Sequence, residues 1–387
     1  MLGLSLGLSL GAQRAGGGAP ALPLFWQVGP EYWGAFKSGY LDGLAATPDL
    51  STATLSDMGA TLPGANDWYG GVLGPDGKIY GIPWAGTDIL IIDPAAGTAT
   101  RSDMGADLEG TNKWLGGVLG PDGKIYGIPR GVNSILIIDP VAGTATRSDM
   151  GANLAGSNKW YGGTLGPDGK IYGVPRNSTD ILIIDPIAGT ATRSDMGATL
   201  SGSNKWYGSV LGPNGKIYGI PSDADDILII DPVAGTATRS DMGATLDDTS
   251  KWFGGVLGPD GKIYGIPSDA DDILVIDPIA GTATRSDMGA DLTGDNKWWG
   301  GVLGPDGKIY GMPRNATDIL VIDTVAGTAT RSDMGATLTG INKWVGGVLG
   351  PDGKIYGIAS GTTDILIIGN GTPGPLQALL SAHLNKL

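Results

Sequence analysis

Short apolar runs, separated by glycine, proline and aspartate, recur along most of the chain. In residues 113–151 they read WLGGVLG, KIYGIP, ILIID and TATRSDM. None offers a 3.6-residue stripe and all are too short for a packed helix, so each predicts a strand. The first ends at Gly120-Pro121-Asp122-Gly123, with proline second and glycine fourth, as a type I turn prefers. The second stops at a proline. The third is a continuous apolar run, as expected of a strand covered on both faces, and the threonine-rich fourth follows a turn at residues 140–143.

This unit repeats. Its tyrosine stands at Tyr80, Tyr126, Tyr172, Tyr218, Tyr264, Tyr310 and Tyr356, and its tryptophan at Trp68, Trp114, Trp160, Trp206, Trp252, Trp298 and Trp344, both series stepping by 46 residues. Four strands and a period in the forties describe a propeller blade. Each of the four runs occurs seven times, but the fourth is offset. The last unit breaks off after Ile368, and its missing TATRSDM-like strand sits at the front of the repeats as LSTATLSDM, residues 50–58. The chain therefore predicts an all-β, seven-bladed β-propeller over residues 49–370, closed by an N-terminal strand that completes the last blade. Closure of that kind removes an open sheet edge.

Composition narrows the function. A formal charge of -14, from 39 acidic against 25 basic residues, disfavours nucleic acid and anionic membranes as partners. With no cysteine there are no disulfides, thiolate metal sites or cysteine nucleophiles. Glutamate occurs only as Glu31 and Glu109, no phosphate-binding loop, catalytic triad or zinc spacing is present, and Asp223-Ala224-Asp225-Asp226 offers hard oxygen ligands but lacks the twelve-residue loop order of an EF-hand. No cofactor, metal or catalytic residue is expected.

Two appendages flank the repeats. In residues 1–48, Leu2, Leu4, Leu6, Leu8 and Leu10 alternate with glycine and serine and predict a strand with one apolar face, followed by a glycine-rich hinge at 15–19 and an aromatic segment at 25–44. A secretory signal peptide is the alternative, with Ala19-Pro20-Ala21 as its small-residue end, although no Lys or Arg precedes the apolar stretch. At the other end, Leu376, Leu379, Leu380, Leu384 and Leu387 fall at helix spacing and predict a short amphipathic helix over 371–387, for docking on the protein itself or for homo-oligomerisation.

The seven units also say where function can reside. GPDGK and DPxAGT scarcely change, and in a propeller these turns share one face. Variation collects on the opposite face. Between second and third strands it includes Trp84, Arg130, Arg176, Asp223, Asp225, Asp269, Asp271 and Arg314, and directly after the repeated tryptophan come Tyr69, Leu115, Tyr161, Tyr207, Phe253, Trp299 and Val345. Loops on a rigid scaffold carry recognition, so this face is the expected ligand surface, with Tyr69, Tyr161, Tyr207, Phe253, Trp299 and Trp84 as aromatic platforms and the Arg and Asp residues as polar partners. The repeated tryptophans are expected to pack between sheets. Lys113, Arg147 and Asp149, with their counterparts, form a candidate interblade charge network.

The DGKIY…ILVIDP…GT pattern resembles the broad group of seven-bladed propellers that includes the streptogramin B lyases. The lyases are expected to use a histidine on the propeller, whereas the only histidine here is His383 in the tail. The leader resembles the N-terminal anchoring segments of minor virion proteins in tailed bacteriophages. That resemblance implies a non-enzymatic fibre or spike protein, held to other virion proteins through Leu2 to Leu10 and displaying the propeller to a host-surface glycan. An exported enzyme acting on polysaccharide and a purely structural decoration are the alternatives.

Overall fold

The computed structural model describes residues 49–370. The leader strand, hinge and aromatic segment expected in 1–48, and the helix expected in 371–387, lie outside the described residues.

Within them the chain forms strands and no helix. A short strand β1 (Ala53–Ser56) precedes the first blade, which runs β2 (Trp68–Leu73), β3 (Ile79–Pro83), β4 (Ile89–Asp93) and β5 (Thr98–Ser102). The same four strands recur as β6–β9 (114–148), β10–β13 (160–194), β14–β17 (206–240), β18–β21 (252–286) and β22–β25 (298–332). The described residues then end on β26 (Trp344–Leu349), β27 (Ile355–Ala359) and β28 (Ile365–Ile368). Each blade is an antiparallel sheet in sequence order, except that the last reads β1-β28-β27-β26. Ala53 pairs with Ile368 and Ser56 with Ile365, so the strand expected at 50–58 closes the ring with a paired core of four residues. Each innermost strand lies beside those of its two neighbours, and β26 returns to β2. The protein is a seven-bladed β-propeller.

The repeated turn residues explain themselves locally. In blade 1 the Gly77 N–H donates to the Gly74 carbonyl at 3.1 Å, closing the expected turn. Asp76 then accepts the Tyr80 phenol at 2.8 Å, and a Cβ on Gly74 would stand 2.7 Å from that carboxylate and 2.8 Å from the tyrosine ring. The turn, the aspartate and the tyrosine therefore form one unit, which accounts for its recurrence.

Between blades the repeated tryptophans are fully buried. Trp252, for example, packs with Val210, Ile220 and Ile227 of blade 4 and with Ile263, Leu274 and Ile276 of blade 5. The expected Lys-Arg-Asp network takes a different form, because its three members separate. Lys113 is buried, and its Nζ donates to the carbonyls of Trp84 at 3.2 Å, Gly86 at 2.8 Å and Gly110. It thus ties blade 1 to blade 2 through backbone rather than through charge. Arg147 stacks over Trp114 at 5.3 Å and donates to the Asp107 carbonyl at 2.9 Å, while Asp149 accepts the Gly151 N–H. Blade 1 alone carries Asp67 in place of the lysine.

Burial pulls the ammonium groups of Lys113, Lys159, Lys205, Lys251 and Lys343 down to about 8 from 10.5. A lysine whose folded pKa is lowered binds its proton more readily in the unfolded chain, so stability should rise as pH climbs from about 8 towards 10.5. Above about 10 the trend should reverse. Burial and the Asp76 and Asp122 partners raise the phenols of Tyr80 and Tyr126 when folded, so the unfolded chain loses those protons first. A thermal midpoint higher at pH 9.5 than at pH 7.5 is the expected result. A midpoint that is flat or falling over that interval would mean that the three carbonyls hold the ammonium against its desolvation.

Candidate ligand-binding site at the channel mouth

The inner strand of every blade carries a bulge. Trp68 pairs with Pro83 and Gly71 with Gly81, which leaves Tyr69 and Gly70 together opposite Ile82. Gly70 has a φ of 77°, and a Cβ there would lie 3.3 Å from the Cα of Gly116, its counterpart in the next blade. Only glycine allows both the dihedral and the approach. The bulge re-aims the residue between tryptophan and glycine, and the seven such residues meet each other on the ring axis.

There they form a plug. Tyr69, Leu115, Tyr161, Tyr207, Phe253 and Val345 are buried in one cluster, with Trp84 and Trp299 half-buried against it. Ring centroids lie 4.1 Å apart for Tyr161 and Tyr207, 4.5 Å for Tyr207 and Phe253, 4.7 Å for Phe253 and Trp299, and 4.7 Å for Tyr69 and Trp84. The tyrosines and the phenylalanine expected as exposed platforms are thus turned mostly inward, since the bulge points them at one another. Beneath the plug lies a cavity of about 110 Å³, lined by the glycines, valines and leucines of the inner strands. Thr164 is its one polar side chain and is hydrogen-bonded to Ser209 of the next blade at 2.7 Å.

Three arginines surround the plug. Arg314 stacks over Trp299 at 4.5 Å, Arg176 over Tyr207 at 5.3 Å, and Arg130 over Trp84 at 5.7 Å. Arg176 Nε also donates to the Tyr207 hydroxyl at 2.7 Å. Asn342 accepts from Arg314 Nε at 2.9 Å, and Asn296 and Asn112 hold Arg314 and Arg130. Burial lowers the pKa of Arg130 and of Arg314, and both feel the same three phenols, Tyr69, Tyr161 and Tyr207, so the guanidinium groups converge on one aromatic disc. Burial also raises the Tyr161 phenol well above its ordinary value.

The aspartates of these loops divide into three kinds. Asp223 Oδ1 accepts the Ser250 N–H at 2.8 Å and Asp269 Oδ1 the Asn296 N–H at 2.6 Å, clamping each loop to the next blade as Asn177 and Asn315 do elsewhere. Asp226 and Asp272 pair with Arg239 at 2.7 Å and Arg285 at 2.9 Å. Only Asp225 and Asp271 are exposed. Most of the loop carboxylates therefore hold the fold together, and Asp225 and Asp271 are the exposed ones among the expected polar partners. Leu2, Leu4, Leu6, Leu8 and Leu10 lie outside the described residues. Among the described residues no cluster of His, Cys, Asp or Glu is arranged to hold a metal ion. The asparagines that hold the arginines escaped the sequence reading, although one precedes most of the repeated lysines.

No family model and no curated protein matches the sequence. Solved structures match the fold. A catalytically inactive histidine-to-alanine variant of virginiamycin B lyase from Staphylococcus aureus, with quinupristin, is 16% identical, at a TM-score of 0.65 over 82% of this chain and 99% of that one. A streptogramin B lyase structure is 18% identical, at 0.64 over 81% and 97%. The extracellular domain of BT4673 from B. thetaiotaomicron is 12% identical, at 0.59 over 87% of this chain and 43% of that one. At these identities the likeness is one of fold: a seven-bladed β-propeller with streptogramin B lyase-like neighbours.

Proposed function

We propose that this chain is a recognition protein, not an enzyme, whose variable face binds carbohydrate on a cell surface. One observation supports this reading above the others. In seven nearly identical blades, the positions that differ most in chemistry come together at the channel mouth, where they put three cations and six aromatic side chains on one disc. Half-buried Trp84 and Trp299 offer apolar ring faces to a sugar, and the arginines offer donors to its oxygens. Catalysis has less support, because the single histidine, His383, stands in the tail and Asp223, Asp226, Asp269 and Asp272 are already bonded within the fold. The setting we propose, display on a virion through residues 1–48, rests on the leucine-glycine-serine alternation of the leader.

A glycan array probed with the full chain should show binding to a restricted set of sugars, and substitution of Trp299 by Ala should reduce it at least tenfold. An array with no signal would remove the carbohydrate reading. For the virion setting, mass spectrometry of purified particles from the source should find the chain with residues 1–48 intact; cleavage near Ala21 would indicate export instead.

A further inference from the structure

The arginines at the mouth occupy one position in the repeat, immediately after the second strand. Across the seven blades that position reads Trp84, Arg130, Arg176, Ser222, Ser268, Arg314 and Ser360. The serines there are buried, and their blades close as well as the others, so the fold itself does not call for arginine. Yet the three guanidinium groups are half withdrawn from water, and among the described residues none of them forms an ion pair. The carboxylates nearest by position, Asp223 and Asp269, are committed to backbone amides.

The hydrogen-bond inventory points the same way. Arg130 Nε, Arg176 Nη1 and Trp84 Nε1, all donors, are buried and have no partner, and the same holds for the acceptor Asn66 Oδ1 and the Ser360 hydroxyl on the same face. Cationic groups gathered without an ion pair repel one another and leave N–H groups unsatisfied; the charge of Asp269 reaches Arg314 but bonds neither Arg130 nor Arg176, and stacking on aromatic rings offsets only part of the repulsion. A single anion at the disc would neutralise the cluster and accept the orphaned donors at once. The planar fork of arginine matches a carboxylate or sulfate in two-point hydrogen bonding, and a flat aromatic floor suits the body that carries it.

The geometry points to an anion site at the mouth of the variable face, in which Arg130, Arg176 and Arg314, with Trp84 Nε1, take the acidic group of a charged sugar. The sugar part of this assignment rests on the carbohydrate reading above; the anion part rests on the orphaned donors alone.

The test uses the full chain in titration calorimetry, with Trp fluorescence as a second readout. The probes are a glucuronate-containing oligosaccharide, a sulfated one, their neutral counterpart, and inorganic sulfate alone. The variants are Arg130→Ser and Arg176→Ser, singly and together, which install the residue that Ser222 and Ser268 already supply at this position. Circular dichroism confirms their fold. An acidic oligosaccharide that binds at least tenfold more tightly than the neutral one, and loses at least tenfold in the double variant, is the expected result. The carboxylate and sulfate arms then identify which group the mouth prefers. Equal binding of neutral and acidic sugars, unchanged in the double variant, would overturn the anion site and leave carbohydrate recognition standing. Inorganic sulfate bound through Arg130 and Arg176, with no sugar bound, would keep the anion site and overturn the carbohydrate reading. No binding of any probe would overturn both.

Discussion

Removal of residues 49–58 should lower the thermal midpoint by on the order of 10 °C or more and promote aggregation. This segment supplies β1, which pairs along its length with β28, and it buries Leu50, Ala53 and Met58. Burying a leucine or methionine contributes about 1.5–3 kcal/mol each. The four paired residues exchange about four hydrogen bonds at roughly 1 kcal/mol each, so the segment as a whole is worth about 7–10 kcal/mol. The loss is not only local. The Ala53 N–H donates to the Met334 carbonyl of the preceding blade at 2.9 Å, so the closing strand also joins the last blade to its neighbour. Without it β28 presents an open, apolar edge. Calorimetry and size-exclusion chromatography measure the two effects, and an unchanged melting curve with a single monomeric peak would contradict ring closure by this strand.

The second large effect is expected at an interblade tryptophan. Substituting Trp252 by Ala should cost about 3–5 kcal/mol, the range for truncating a fully buried large aromatic. The side chain spans two blades, its Nε1 donates to the Asp272 carbonyl at 2.7 Å, and Arg285 lies over its ring at 5.3 Å while pairing with Asp272. Truncation therefore opens a cavity, frees a buried carbonyl and leaves the arginine without its stacking partner. Trp252→Phe should recover most of the loss, because it keeps the apolar contact and forfeits mainly the hydrogen bond. Denaturant titration separates the cases. Equal stabilities for the Ala variant and the parent would show that the interface does not depend on this residue.

Strand number, blade number and the closing offset were all legible in the chain because they depend on local chemistry. The Gly-Pro-Asp-Gly turn, the apolar run of the third strand and the displaced TATLSDM segment each announce themselves within ten residues. The interblade role of the tryptophans was also legible, since one large apolar residue per sheet must be buried against the next sheet. The lysines were harder. A charged residue before each tryptophan reads as a member of an interblade charge network with Arg147 and Asp149, and only the assembled ring shows Lys113 enclosed by carbonyls of the previous blade.

The mouth shows the same division most sharply. Sequence alone marked Tyr69, Tyr161, Tyr207, Phe253 and Trp299 as the residues that vary after the repeated tryptophan, and Arg130, Arg176 and Arg314 as loop residues on the same face. It could not say that Gly70, at a φ of 77°, bulges the strand and turns those aromatic side chains onto the axis, where they bury one another instead of facing solvent. Nor could it separate Asp223, which holds a backbone amide of the next blade, from Asp225, which is exposed. Periodicity along the chain determines which strands form and how many blades they build, because backbone pairing and turn geometry act between near neighbours. Which side chains meet at the centre, and which charges are left without a partner there, is decided by contacts between residues one or more 46-residue repeats apart, and those exist only once the ring has closed.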